Sequence, residues 1–144
     1  MRREHILETI TFRLHTTMVN GLTHPLSTSA LSRFNWLVDS MVHPLFHDAM
    51  EGMQRQGIAA DSVAALDQRL PFAALWVEAP ALIICLWPSE AERWLNLSVC
   101  SDHNFIQAPV YAVSYRSITR GRLAHELDIA LLDTIPSLFM PITI

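Results

Sequence analysis

There is no lysine in this chain: all 10 basic residues are arginine, set against 14 acidic ones, for a formal net charge of −4. A general nucleic-acid binder is expected to carry a basic footprint, so this balance argues against one. Charge of either sign is scarce, at 17 % of residues, where a soluble domain usually carries about 25 %. Glycine is scarcer still, with four in 144 residues. Neither a G-x-x-x-x-G-K loop nor a G-x-G-x-x-G turn occurs, so no phosphate-cradling backbone loop is expected. Two cysteines, Cys85 and Cys100, are too few for a disulfide framework. No G-x-S-x-G elbow anchors a serine nucleophile.

Several segment types are missing too. The opening residues "MRREHILETITFRLHTT" lack an uninterrupted apolar run and a small-residue cleavage site. They do not read as a secretory leader, and the cytoplasm is the expected location. No repeat, low-complexity tract or linker divides the chain, so residues 1–144 are read as a single domain.

Apolar side chains are abundant. They make up 51 % of the residues, with a mean hydropathy of +0.25. A domain of this size hides only about 68–70 % of its unfolded-chain surface by folding alone. Part of the apolar surplus is therefore expected to be covered by a second chain, in a homo-oligomer or against a protein partner. Arginine suits such interfaces, because its planar guanidinium forms bidentate contacts and is weakly hydrated.

The longest apolar stretch, "LPFAALWVEAPALIICLWPS" from Leu70 to Ser89, is long enough to cross a bilayer. Pro71, Pro80 and Pro88 divide it, and Glu78 would lie at bilayer depth at a cost of roughly 2.5–3.5 kcal/mol. Two buried strands joined by a turn at "EAPA" explain this punctuation, and no membrane span is expected.

Elsewhere, hydrophobic spacing sorts the chain into helices followed by strands. Ile6, Leu7, Ile10, Leu14 and Met18 lie near one helical face, with Gly21 as a stop. Thr9, Thr11, Arg13 and His15 alternate with Ile10, Phe12 and Leu14, which keeps a strand in competition there. Next, Ser27 or Thr28 caps a helix striped by Leu31, Phe34, Leu37, Val38 and Met41, with Trp36 turned slightly off the stripe. Pro44 is expected to kink or stop this helix and to begin another, which ends at Gly57. Asp61 is read as the cap of a short helix, "DSVAALDQRL". From Phe72 onward, "FAALWV", "ALIICLW", "RWLNLSV" and "PVYAVSYRS" read as strands. In the third, Trp94, Asn96 and Ser98 alternate with Leu95, Leu97 and Val99, so one sheet face is expected to be wet and the other buried. A last helix is expected over 118–134, and the apolar tail "PSLFMPITI" is expected to dock. The predicted architecture is α+β: N-terminal helices, a three- to four-stranded antiparallel meander and a C-terminal helix.

Candidate chemistry is sparse. His43 and His47 stand four apart with Asp48 following, but Pro44 replaces the glutamate that a zinc-protease helix needs. Cys100 and His103 add a C-x-x-H pair, and together the four would make a zinc-compatible set. The competing reading, surface histidines and a core cysteine, is preferred, so no metal or other cofactor is expected. Cys100 as a nucleophile has nothing nearby in sequence to lower its pKa. The densest charged feature is "YRSITRGR", carrying Arg116, Arg120 and Arg122 without an acid. At the start of a helix these groups form an anion or partner-binding site. A solvated turn is the plain alternative. Trp94, on the polar side of its strand, is either a contact residue or is covered by a helix. The preferred expectation is a non-enzymatic protein-interaction module, an accessory subunit, adaptor or chaperone-like protein, that self-associates. A nucleic-acid-binding domain using 116–122 is the alternative, followed by a metal-dependent hydrolase around His43, His47 and Asp48.

Overall fold

The computed structural model describes residues 3–18, 26–67, 70–78, 81–89, 94–101 and 110–134. Three helical segments precede the sheet: α1 (Arg3–Met18), α2 (Thr28–Leu37) and α3 (His43–Arg55). Within α1 the Thr9 hydroxyl donates to the His5 carbonyl at 2.8 Å. That back-bond lets a threonine in an alternating pattern sit within a helix, and the competing strand does not form. Gly21, the expected stop, lies outside the described residues.

Ser27 caps α2, its hydroxyl accepting from the Ala30 N–H at 3.1 Å. Pro44 does not break the helix that follows. A single π turn, Val38–Val42, joins α2 to α3, and the His43 N–H reaches back five residues to the Val38 carbonyl. Pro44 enters in the first turn of α3, and its missing N–H leaves the Ser40 carbonyl without an i+4 donor. The wider π turn gives the ring room that a regular α-helical turn denies it. The chain stays right-handed helical throughout, and His43 and His47 share one helix. Helix α3 ends in a Schellman motif: Gly57 adopts φ +77°, Ile58 N–H donates to Met53 O at 2.9 Å and Gly57 N–H to Gln54 O at 3.0 Å.

Five strands form one antiparallel sheet in sequence order: β1 (Ala60–Ala65), β2 (Phe72–Glu78), β3 (Ala81–Pro88), β4 (Trp94–Ser101) and β5 (Tyr111–Ser114). The meander thus has one strand more than expected, and the extra one is β1. The segment read as a short helix capped by Asp61 pairs instead with β2, Ala60 opposite Val77 through Ala65 opposite Phe72. Once Gly57 closes α3, the exposed edge of the very apolar β2 offers a full ladder of backbone partners. That gain outweighs the helix preference of a short alanine-rich run. The Leu70–Ser89 stretch is the β2–β3 hairpin, with Ala73 opposite Leu86 and Glu78 opposite Ala81. No helix among the described residues is long and apolar enough to cross a membrane.

The sheet is covered on both faces. On one, Leu75, Ile84, Leu86, Leu95 and Leu97 pack with Phe34, Leu37, Val42 and Phe46 from α2, the π turn and α3. Leu123 and Leu127 join them from α4 (Arg120–Thr134). On the other, Phe72, Trp76, Ile83, Cys85 and Trp87 pack with Ile6 and Ile10 of α1, both 0 % exposed. Full burial of such a side chain stabilises by roughly 1.5–3 kcal/mol. The face expected to be wet is therefore largely dry: Ser98 is fully buried and Asn96 half-buried. Only its Trp94 end stays open. Much of the apolar surplus goes into these two cores. Among the described residues, Phe12, Trp36, Trp94 and Val110 are the large hydrophobic side chains left exposed. The tail 135–144 lies outside the described residues.

Candidate functional site

Two of those four exposed side chains, Trp36 and Trp94, border the same cleft. It is an open cavity of about 670 Å³ lined by Arg33, Trp36, Trp94, Ser114, Tyr115, Arg116 and Ile118. Helix α2, strands β4 and β5 and the turn that follows β5 build it. In α2, Phe34 and Leu37 are fully buried. That anchoring turns Arg33 and Trp36, three residues apart on the flank, toward the cleft. Trp94 opens β4 directly opposite Ser114, the last residue of β5. A single 3₁₀ turn, Tyr115–Ser117, then closes β5. Ser114 caps that turn, its hydroxyl accepting from the Arg116 N–H at 3.2 Å. The turn sends Tyr115 inward against the core and leaves Arg116 exposed at the rim.

Tyr115 carries the anomaly of the site. Its hydroxyl is shielded from solvent and has no hydrogen-bond partner among the described residues. Burial raises its pKa from 10.0 to about 12, with the Arg33 guanidinium pulling in the opposite direction. A buried hydroxyl without a partner costs about 1–3 kcal/mol. A half-buried phenol beside a guanidinium, framed by two indoles, is a donor-rich wall with aromatic sides. Arg116 at the rim offers donors to an anion and the indoles offer flat apolar surface to a ring, while the described lining residues include no histidine or carboxylate that could act as a base.

The arginine cluster expected from "YRSITRGR" does not stay together. Arg116 lines the cleft. Arg120 reaches across to α2–α3, its Nη2 donating to the Ser40 carbonyl at 3.4 Å. Pro44, four residues beyond, has no N–H to offer that carbonyl, so Arg120 serves as a brace between α4 and the π turn. Arg122 pairs with Glu126 within α4 at 3.3 Å. Helix α4 begins at Arg120, and Thr119 caps it, its hydroxyl accepting from the Arg122 N–H at 3.1 Å. Among the expected binding residues, the fold thus brings Arg116 and Trp94 together and directs Arg120 and Arg122 elsewhere.

The histidine pair is plain surface. His43 and His47 are exposed on α3, and His47 Nε2 lies 3.1 Å from Glu51 Oε1. No group of three or more His, Cys, Asp or Glu side chains converges among the described residues. Asp48 is exposed on the same helix, and Cys100 stands in β4 opposite Ile83. His103 lies outside the described residues.

No family model, no curated protein and no solved structure matches this chain. Function is therefore argued from the site itself. Sequence reading missed Arg33 and Tyr115 as site residues. Arg33 stands on a helix some eighty residues from Arg116, and no local pattern links them. One signal was present: "SRFNW" places Arg33 and Trp36 one turn apart, just beside the buried stripe.

Proposed function

We propose that this chain is a non-enzymatic protein-interaction module, an accessory or adaptor protein, that binds a partner through the Trp36–Trp94 cleft. The observation that carries this reading is the pair of exposed indoles framing Arg33 and Arg116. Tryptophan and arginine are the side chains most enriched where interfaces hold most of their energy. The lining residues sit on α2, β4, β5 and the turn that follows, elements that pack on the larger core, so the backbone of the cleft is held in place by the fold. Preorganisation of that kind lowers the entropic cost of association.

Self-association is a separate part of the proposal and rests on composition, 51 % apolar against 17 % charged. Size-exclusion chromatography with light scattering tests this part; a strictly monomeric chain refutes it. For partner binding, the wild-type chain and a Trp36→Ser/Trp94→Ser variant are each used to recover bound proteins. Both indoles are exposed, so the variant keeps its core. A recovered partner lost with the variant fits the proposal; an unchanged partner set refutes the cleft as the docking surface.

A further inference from the structure

Among the described residues, β1 has a single strand neighbour, β2. Its hydrogen-bond phase follows from one contact: the Glu78 N–H donates to the Ala59 carbonyl at 3.1 Å, one step beyond the Ala60–Val77 pair. Directly opposed residues of an antiparallel ladder alternate between bonded and non-bonded pairs. Ala59, Asp61, Val63 and Ala65 therefore turn their backbone groups toward β2, and Ala60, Ser62 and Ala64 turn theirs away. The outward N–H at the centre of this edge, that of Ser62, is already taken: Asp61 Oδ1 accepts it at 2.8 Å. Asp61 is exposed, so this bond lies along the rim of the sheet rather than in a core.

We infer that the Asp61 carboxylate holds β1 shut as a pairing edge, and that without it β1 adds to β1 of a second copy of this chain. A side chain that accepts from a neighbouring backbone N–H competes with a ladder for the same donor. Charge on an outer strand also works against edge-to-edge pairing. The rest of the strand favours pairing. Its sequence is "ADSVAA", with no side chain larger than valine, so the outward backbone groups stay within reach of another strand. The pattern is self-complementary as well. A two-fold antiparallel pairing centred on Ser62 sets Ser62 opposite its own copy and Ala60 opposite Ala64, which gives all three outward residues a partner. Occupying the Ser62 N–H withholds the central donor on both sides of that arrangement. The inference does not depend on the cleft. It bears on self-association only by placing any contact of the wild-type chain away from β1.

Sedimentation equilibrium of the full chain, over a range of concentrations, tests this with four variants. Asp61→Ala frees the Ser62 N–H, whereas Asp61→Asn keeps a carbonyl oxygen that accepts from it. Ala64→Pro, alone and combined with Asp61→Ala, removes an outward donor and no bond to β2; proline is tolerated on an outer strand where its N–H would face solvent. Asp61→Ala is expected to strengthen self-association over wild type by roughly tenfold to a hundredfold, as one donor per chain becomes available. Asp61→Asn is expected to match wild type, and Ala64→Pro to reverse the gain in the Asp61→Ala background. Unchanged association of Asp61→Ala overturns the inference. Association that survives the added Ala64→Pro also overturns it, because the contact then lies elsewhere or the chain has lost its fold. An equal gain from Asp61→Asn assigns the effect to charge and overturns the hydrogen-bonded guard. Weaker wild-type association on Ala64→Pro alone overturns it too, since β1 would already be in use. A strictly monomeric wild type refutes the self-association proposal by itself; the comparison with Asp61→Ala still decides this one.

Discussion

Replacing Tyr115 by phenylalanine deletes a single hydroxyl from the floor of the cleft and leaves the ring in place. The hydroxyl is hidden from solvent and has no partner among the described residues. Removing it recovers part of a desolvation penalty of about 1–3 kcal/mol, so the variant is expected to be more stable than wild type by about 1 kcal/mol at neutral pH. Alkaline pH widens the difference. The folded chain holds the Tyr115 proton up to about pH 12, whereas the free phenol ionises near 10.0. The folded-state pKa is raised, so its contribution is fully present below pH 10 and is lost as pH climbs through 12. Two pH units correspond to at most about 2.7 kcal/mol. For a half-buried side chain, solvent screening lowers this to about 1–2 kcal/mol.

Composition makes the measurement clean. No lysine titrates in that window, and the chain has only two tyrosines. Urea unfolding of both proteins at neutral pH and at pH about 11 measures stability. Tyrosinate absorbance of wild type minus variant isolates the ionisation of Tyr115. A wild-type-minus-variant step centred near pH 10 would refute the burial. A variant less stable than wild type at neutral pH would mean that the hydroxyl has a partner after all.

Four other outcomes are expected. Leu86→Ala, emptying a fully buried position on β3, should cost about 2–5 kcal/mol in urea unfolding. Gly57→Ala should cost roughly 1–2 kcal/mol from backbone strain at φ +77° alone, since an added Cβ meets nothing within 4 Å. Ser27→Ala removes the cap of α2 and should lower stability by about 1 kcal/mol in the same assay. A single-stranded oligonucleotide should show no binding at low salt by fluorescence anisotropy; an affinity that falls steeply with added salt would instead support phosphate contacts.

Tyr115 carries a cost in stability. A hydroxyl buried without a partner is rare in folded proteins, and phenylalanine would serve the core better. The Arg120 brace has a related logic. Pro44 deprives the Ser40 carbonyl of its usual donor, and an arginine from a distant helix supplies one.

Sequence alone determined most of the local structure. Ile6 and Ile10 mark the buried face of α1, and the serine before "TSALSRFNWL" marks the start of α2. The prolines around "FAALWVE" and "ALIICLWP" mark two strands and the turn between them. Such features are legible because spacing, capping and proline chemistry act within a few residues. Tertiary structure decided the rest. Residues 60–65 became a strand because β2 offered an open edge, and Pro44 was absorbed by a π turn rather than ending its helix. The dry second face formed because α1 folds back onto the sheet. The cleft belongs with these: Arg33, Trp94 and Arg116 come from three separate elements, and the packing of α2 on the sheet brings them to one cleft. Contacts between residues far apart in the chain depend on that packing, which no short window of sequence encodes.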